Sequence, residues 1–518
     1  MTDNPHVLAY DLGTGGLKTI LFSGSGKFVA SAMTSYDTSY PGENRHEQKP
    51  ADWWDALLRS TRAVMSRAGV DAASVEACAI SGQSLGVVPI DGHGNLLCQH
   101  TPIWSDSRAQ AQADAFFDRT NEDAWYGRTG NGFPPPLYSI FKIMWYRDED
   151  PDLFRKTRHI LGTKDYLNYM LTGTVATDHS YASGSGVYDL LRHEYDQNLL
   201  DAAGIDRKLL AEPLASTEII GTLTPRAADQ LGLHTDVQVV AGGVDNSCMA
   251  LGARNTRHGR VYNSLGSSSW IAVCSDTPIV DTATRPFVFA HVVPGLYTSA
   301  YSIFAAGTSL HWIRDTLCRD LIRKAETEET DVYDLMTAEA AGSPPGARKL
   351  LFNPNLAGGT GLDPSRTVRG AFAGLDVRHT RADMIRAGLE GISMALRVAL
   401  DALQDRVELE KEMLVVGGGS TSPLWRRILA DTYETTILKT SIDQDAAALG
   451  AAGLAAVGTG LWEDFQRIDD LHKTEDEVDP DPGGVGVYRA LLPLYKELNR
   501  AQSRLAEKMS RLKLEEPQ

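Results

Sequence analysis

Apolar residues in this chain gather in short runs that stop at glycine, and segments of helical period lie between the runs. The stretch HVLAYDLGTGGLKTILFS predicts a strand over residues 7–10, a tight turn, and a second strand over 17–22. Gly13, Gly15 and Gly16 are expected to supply the positive φ that such a turn asks for. PADWWDALLRSTRAVMSRAG has helical spacing, and VEACAISG reads as a strand. VVPIDGHGNLL reads as a further hairpin, since Asp91-Gly92 and Gly94-Asn95 are turn pairs. Helices are expected over 136–173, with Trp145, Leu153, Phe154, Tyr166 and Met170 in the core.

The second half restates this theme. VQVVAGGVDNSCMALGA is a strand that ends in glycines, an acid and a helix, and RVYNSLGSSSWIAVCS is strand, glycine turn, strand. KEMLVVGGGSTSPLWRRILADTYETTI adds a strand, a glycine turn and an amphipathic helix. An alanine-rich helix over 445–458 and a charged helical tail after about Tyr488 complete the pattern. The fold class is therefore α/β. A chain of 518 residues is too long for one core. The domain break is placed near Gly243, giving domains 1–243 and 244–518.

Composition narrows the function. The 50 basic and 67 acidic residues leave a net charge of −17, which disfavours nucleic acid and anionic membrane as partners. The five cysteines form no C-x-x-C pair, and no two of the 13 histidines form an H-x-x-x-H pair, so neither a disulfide framework nor a zinc site is expected. The start MTDNPHVLAY lacks a secretory pattern, and no run approaches the ~20 apolar residues of a membrane span. A soluble protein of the reducing cytoplasm is the expectation.

Several residues suggest chemistry. Asp11 closes the first strand, and Thr14 and Lys18 flank the turn. A metal nucleotide needs this set: backbone N–H groups and a cation toward phosphate, and a carboxylate toward magnesium. An ordinary hairpin explains the glycines equally well. The turn at 266–269 repeats the arrangement, and two such elements facing each other can hold phosphates. Gly417, Gly418 and Gly419 permit close approach to a flat ligand, with Ser420 able to cap the next helix, although a plain strand-to-helix connection would read the same.

Asp245 follows two glycines at the end of a strand, where ligands of α/β sheets collect. A carboxylate there can take a hydroxyl proton as the oxygen attacks a γ-phosphate, but a helix N-cap aspartate fits the same local sequence. In PIWSDSRAQ, Trp104, Asp106 and Arg108 alternate and would share one face of an extended segment. An aromatic wall with a carboxylate and a guanidinium suits a polyhydroxylated ligand. The alternative is a salt-bridged strand end. Glu47 and Gln48 precede a helix, and Gln83 follows a strand.

Taken together, these residues resemble the FGGY family of carbohydrate kinases, most of all its xylulose kinases, over almost the whole chain. DLGTGGLK looks like the family's first phosphate motif, EQKPADWW its sugar-side acid segment and IWSDSR its substrate motif. GGVDN resembles the catalytic aspartate motif, SLGSSS the second phosphate motif, RGAFAGL the signature region and GGGSTSPLWRRILAD the adenosine motif.

The resemblance implies an actin-like ATPase fold, with two ribonuclease-H-like domains and an interdomain cleft. It places sugar mostly on 1–243 and ATP on 244–518. It also implies ATP- and Mg2+-dependent phosphorylation of a primary hydroxyl of a ketose or polyol, with a pentulose such as D-xylulose leading. Another small substrate, such as erythritol, ribulose or a glycerol-like polyol, is the alternative, as is a non-catalytic actin-like nucleotide-binding protein. By the same resemblance Asp245 is the base and Asp11 the metal ligand. Gly13, Thr14, Gly15, Lys18, Gly266, Ser267 and Ser268 would meet phosphates, and Gly417, Gly418, Gly419 and Ser420 the adenosine. Glu47, Gln83, Trp104, Asp106, Arg108, Asp245 and Asn246 would meet the sugar. Homodimer formation is left open.

Three departures bear on substrate. Ser84 and Leu85 stand where xylulose kinases carry Met-His, Gly358, Gly359 and Thr360 where the family has G-E-R-x-P, and Ser267 where it has Thr.

Overall fold

The computed structural model describes residues 4–512. Its first sheet is built from β1 (His6–Leu12), β2 (Gly16–Ser23), β3 (Phe28–Ser35), β4 (Val75–Gly82), β5 (Ile219–Thr222), β6 (Gln238–Val240) and β7 (Gly243–Val244). The order across it is β5-β6-β4-β1-β2-β3, with β7 paired to the end of β4. β1 and β2 are antiparallel, whereas β1 with β4 and β4 with β6 are parallel. β1 is buried at nearly every position, so both of its faces are covered. The helix Pro50–Ala68 lies over β2 and β3, and the alanine-rich helix Ala446–Gly458 lies over β1 and β4.

The second sheet has seven strands, six of which are β8 (Val261–Leu265), β9 (Ser269–Ser275), β10 (Tyr297–Ile303), β11 (Glu412–Val416), β12 (Thr436–Thr440) and β13 (Thr474–Val478), in the order β10-β9-β8-β11-β12-β13. These six strands repeat the order β3-β2-β1-β4-β6-β5. Each sheet has a hairpin, two parallel strands beyond it, and an antiparallel edge. The restated theme in the sequence is thus a duplicated α/β unit.

Packing does not cut the chain at one point. One compact unit holds the residues up to His258 together with Cys274–Ser299 and Asp445–His472. The other holds Gly259–Val273, Ala300–Gln444 and the residues from Lys473 onward. The alanine-rich helix, late in sequence, therefore belongs with the amino-terminal sheet.

Local expectations are corrected in three places. None of Gly13, Gly15 and Gly16 has positive φ. At Gly16 the demand is space, since a Cβ would stand 2.7 Å from the Thr34 carbonyl oxygen on β3. The VVPIDGHGNLL stretch makes only the single bridge Ile90↔Leu96, and its strand Val88–Ile90 pairs instead with His159–Leu161. Of the five aromatic and aliphatic residues expected in the core over 136–173, Tyr166 is fully buried, while Trp145, Leu153, Phe154 and Met170 pack half-buried against its rim. The cysteines are free, and among the described residues no helix is long and apolar enough to cross a membrane.

Candidate active site

In the first unit, strand register brings the acids to one end of the sheet. Asp11 is paired across β2 with Lys18 and across β4 with Ser81. The Ser81 hydroxyl donates to Asp11 Oδ1 at 3.1 Å. Burial pushes the Asp11 carboxyl up to about 6; Ser81 and Lys18 oppose that rise, and Asp445 adds to it. β7 runs parallel to the end of β4 and delivers the chain into the helix Asp245–Gly252. Asp245 is the first residue of that helix, not its N-cap, which is Val244. The Asn246 N–H donates to Asp245 Oδ1 at 2.8 Å. Burial first, and then the Asp11 charge, pushes Asp245 up to about 7.

Lys18 is already engaged, because its ammonium bonds the Asp445 carboxylate. Asp445 precedes the alanine-rich helix, which packs along Asp245–Gly252 so closely that glycine is required on both sides. A Cβ on Gly252 would stand 1.7 Å from Ala446 O, and one on Gly450 2.0 Å from Cys248 O.

The sugar-side residues gather differently from the alternation in their sequence. The chain is turn, not strand, after Thr101–Pro102, so Trp104, Asp106 and Arg108 do not share a face. Trp104 is exposed and donates from Nε1 to Thr14 Oγ1 at 2.9 Å. Asp106 is fully buried, accepting from the His46 N–H at 2.7 Å and from Arg108 Nη2 at 2.7 Å. Arg108 also donates to Glu47 Oε1 at 2.6 Å and stacks over the Trp145 ring. Glu47, Asp106 and Arg108 thus form one ion-paired cluster. Gln83 is buried and donates through Nε2 to Gln48 Oε1 at 2.8 Å, next in sequence to Glu47.

The second unit contains a cavity of about 340 Å³ whose lining includes Gly266, Ser267, Gly418, Gly419, Tyr333 and Gln444. Two glycine turns far apart in sequence therefore meet at one pocket. The Gly266 N–H donates to Ser268 O at 3.0 Å, and the carbonyls of Gly266 and Ser267 accept from the first residues of the helix Gly307–Leu317. Gly417 has φ +90, and a Cβ there would stand 2.7 Å from Leu265 O. Its N–H donates to Asp443 Oδ1 at 2.7 Å. The expected cap at Ser420 is corrected: Ser422 caps the helix Pro423–Tyr433 by accepting from the Trp425 N–H, and the Ser420 hydroxyl is buried without a partner.

Sequence reasoning passed over Asp445, Ser81, Asp443 and the full role of Gln48. The one local signal was an acid directly before an alanine-rich helix, and nothing local pairs it with Lys18. Among the described residues no group of three or more His, Cys, Asp or Glu side chains is arranged to hold a metal ion.

The model of the FGGY family of carbohydrate kinases, N-terminal domain, matches residues 6–252, and that of the family's C-terminal domain matches 261–459. The chain belongs to the FGGY family of carbohydrate kinases. It is 28% identical over 497 residues to a xylulose kinase of Bacillus subtilis, covering 95% of this chain and 96% of the relative. It is likewise 28% identical to a gluconokinase of Bacillus subtilis, covering 96% of each. A ligand-bound xylulose kinase from Lactobacillus acidophilus superposes with a TM-score of 0.88 at 25% identity, covering 98% of this chain and all of that one. The fold is accordingly the actin-like ATPase fold, and the protein is an ATP-dependent sugar phosphotransferase.

Proposed function

We propose that this kinase transfers the γ-phosphate of ATP to a primary hydroxyl of a small ketose or polyol, with D-xylulose the first candidate. The observation that carries the reading is Asp245, a carboxylate at the carboxyl end of the first sheet that burial and Asp11 tune to about 7. A base so poised can take the hydroxyl proton while the oxygen attacks phosphorus, without a covalent enzyme intermediate. Residues 1–243 carry the sugar side: Trp104 offers an apolar wall, Glu47, Asp106 and Arg108 a polar cluster, and Gln83 an amide; Asn246, just past that boundary, adds a second amide. Residues 244–518 carry ATP, with Gly266, Ser267 and Ser268 toward phosphate and Gly417, Gly418, Gly419 and Ser420 toward the adenosine. From the first unit, the Gly13–Gly16 turn and Lys18 complete the phosphate contacts.

Magnesium fits the acids present. Asp11 keeps Oδ2 without a donor among the described residues, and the Asp445 charge raises Asp11 while the Asp11 charge raises Asp245, a crowding of acids that a divalent cation relieves. When bound, the ion would offset phosphate charge. Asp11 would hold it, and Asp245 would remain the proton acceptor. The free, buried or half-buried cysteines support a reducing cytoplasm as its place.

The test is a coupled assay over ketopentoses, ketohexoses, tetritols, pentitols, glycerol and D-gluconate, the last because a gluconokinase is among the relatives. D-xylulose is expected to give the highest kcat/KM. A tenfold better alternative would reject the pentulose assignment and keep the kinase. ATP binding with no sugar-dependent turnover would favour a non-catalytic nucleotide-binding protein.

A further inference from the structure

Gln48 is 1% exposed and uses every hydrogen-bonding position of its amide. Its Nε2 donates to Thr14 O at 2.7 Å and to Thr38 Oγ1 at 2.8 Å. Its Oε1 accepts from Trp53 Nε1 at 2.9 Å and from Gln83 Nε2 at 2.8 Å. An indole N–H only donates, so Trp53 fixes which end of Gln48 is the carbonyl. Gln83 must then give its NH2 to Gln48 and turn its own Oε1 away. That oxygen is buried without a partner. The backbone that carries it is anchored as well, because the Gln83 N–H donates to Leu12 O at 2.9 Å and the Gln83 carbonyl accepts from Thr163 Oγ1 at 2.5 Å.

A fixed, unpaired, buried acceptor calls for a donor. A sugar hydroxyl is such a donor. At the far end of the same chain of bonds, Thr14 sits in the first phosphate turn, its carbonyl held by Gln48 and its hydroxyl oxygen by Trp104. The Thr14 hydroxyl proton is left for an acceptor such as phosphate.

We propose that Gln48 is a positioning residue for phosphoryl transfer. It aims Gln83 Oε1 at a hydroxyl of the sugar and, through Thr14, sets the phosphate turn in register with that sugar. The proposal rests on the kinase reading above. It makes sugar binding and nucleotide binding energetically coupled through one buried amide.

Gln48→Met keeps the length of the side chain and removes the acceptor for Trp53 and Gln83 together with both N–H donors. The measurements are kcat, KM for D-xylulose, melting temperature, and the Kd of a non-hydrolysable ATP analogue with and without saturating D-xylulose. The expected result is a KM for D-xylulose raised about tenfold and a kcat lowered roughly 10- to 100-fold, as misplacement of reacting groups gives. The analogue's Kd without sugar should stay within about twofold, and its tightening by sugar, present in the wild type, should vanish. A variant that loses melting temperature and kcat but keeps the wild-type KM and coupling would overturn the proposal in favour of a structural role. If Gln48→Met does not fold, Gln48→Glu, which keeps the acceptor for Trp53 and Gln83 and removes only the donors to Thr14 and Thr38, carries the test: kcat and the coupling should fall with KM near the wild type, and wild-type coupling would overturn the proposal. Failure of the wild type to turn over any sugar would count against the kinase reading, not against Gln48 alone.

Discussion

Two buried acids, the second raised further by the charge of the first, give this site its pH response. Asp11 rests near 6 and Asp245 near 7, both lifted chiefly by burial. A base must be ionised to work, so kcat/KM should climb as pH rises through about 7 and then level. Asp245→Asn should cut turnover ~10²–10⁴-fold while leaving nucleotide affinity largely intact. A variant that keeps more than about a tenth of the rate would remove Asp245 from the role of base. Stability should move the opposite way. An acid whose folded pKa is raised from 3.8 to about 7 contributes its full stability below pH 4, and that contribution is lost as pH rises through about 7. Thermal melts of the ligand-free protein should therefore show Asp245→Asn more stable than wild type at pH 8, with the difference gone near pH 4.

At the scale of elements, the position of Asp245 depends on a helix contact too close for side chains. Gly450 of the alanine-rich helix lies against the backbone of Cys248, three residues into the helix that Asp245 begins. Gly450→Ala must push the two helices apart, which typically costs ~1–3 kcal/mol in a packed interior. It should lower both the melting temperature and kcat, because the displaced helix carries the base. Gly486→Ala is the control, on an exposed helical position with open space around it. There alanine should be neutral or stabilise by about 0.5–1 kcal/mol. Equal melting temperatures for the two variants would show that the close contact is not needed.

Elements of this kind were legible in the sequence when their cause was local. Both hairpins show as apolar runs broken by glycine, and so does the strand-to-helix passage at Asp245. What was not legible depends on residues far apart. Lys18 and Asp445 stand 427 positions apart, and Gln48 links Thr14, Thr38, Trp53 and Gln83 from four separate segments. The alternation of Trp104, Asp106 and Arg108 misled because it assumed a strand. A turn there lets Asp106 sink into the protein while Trp104 stays outside. The glycines of the first turn were recognised, but for the wrong cause, since Gly16 answers to the neighbouring strand and not to φ.

For the whole molecule, the proposed function has the duplicated sheets divide the work. The cavity assigned to ATP is lined entirely by the second unit, and Glu47, Gln83, Trp104, Asp106, Arg108 and Asp245 all belong to the first. The chain passes between units from Gln444, which lines the cavity, directly to Asp445, which bonds Lys18. Phosphoryl transfer needs the two ligands in contact and water kept away, since water is a competing acceptor. Binding both ligands should therefore draw the units together. Small-angle scattering should give a smaller radius of gyration with D-xylulose plus a non-hydrolysable ATP analogue than with neither, and a partial change with the sugar alone. Asp245→Asn should contract in the same way, because the amide removes the base and leaves the binding groups in place. Superimposable profiles for the free and doubly liganded wild type would reject closure, and contraction in the wild type alone would mean that Asp245 serves binding instead of proton transfer.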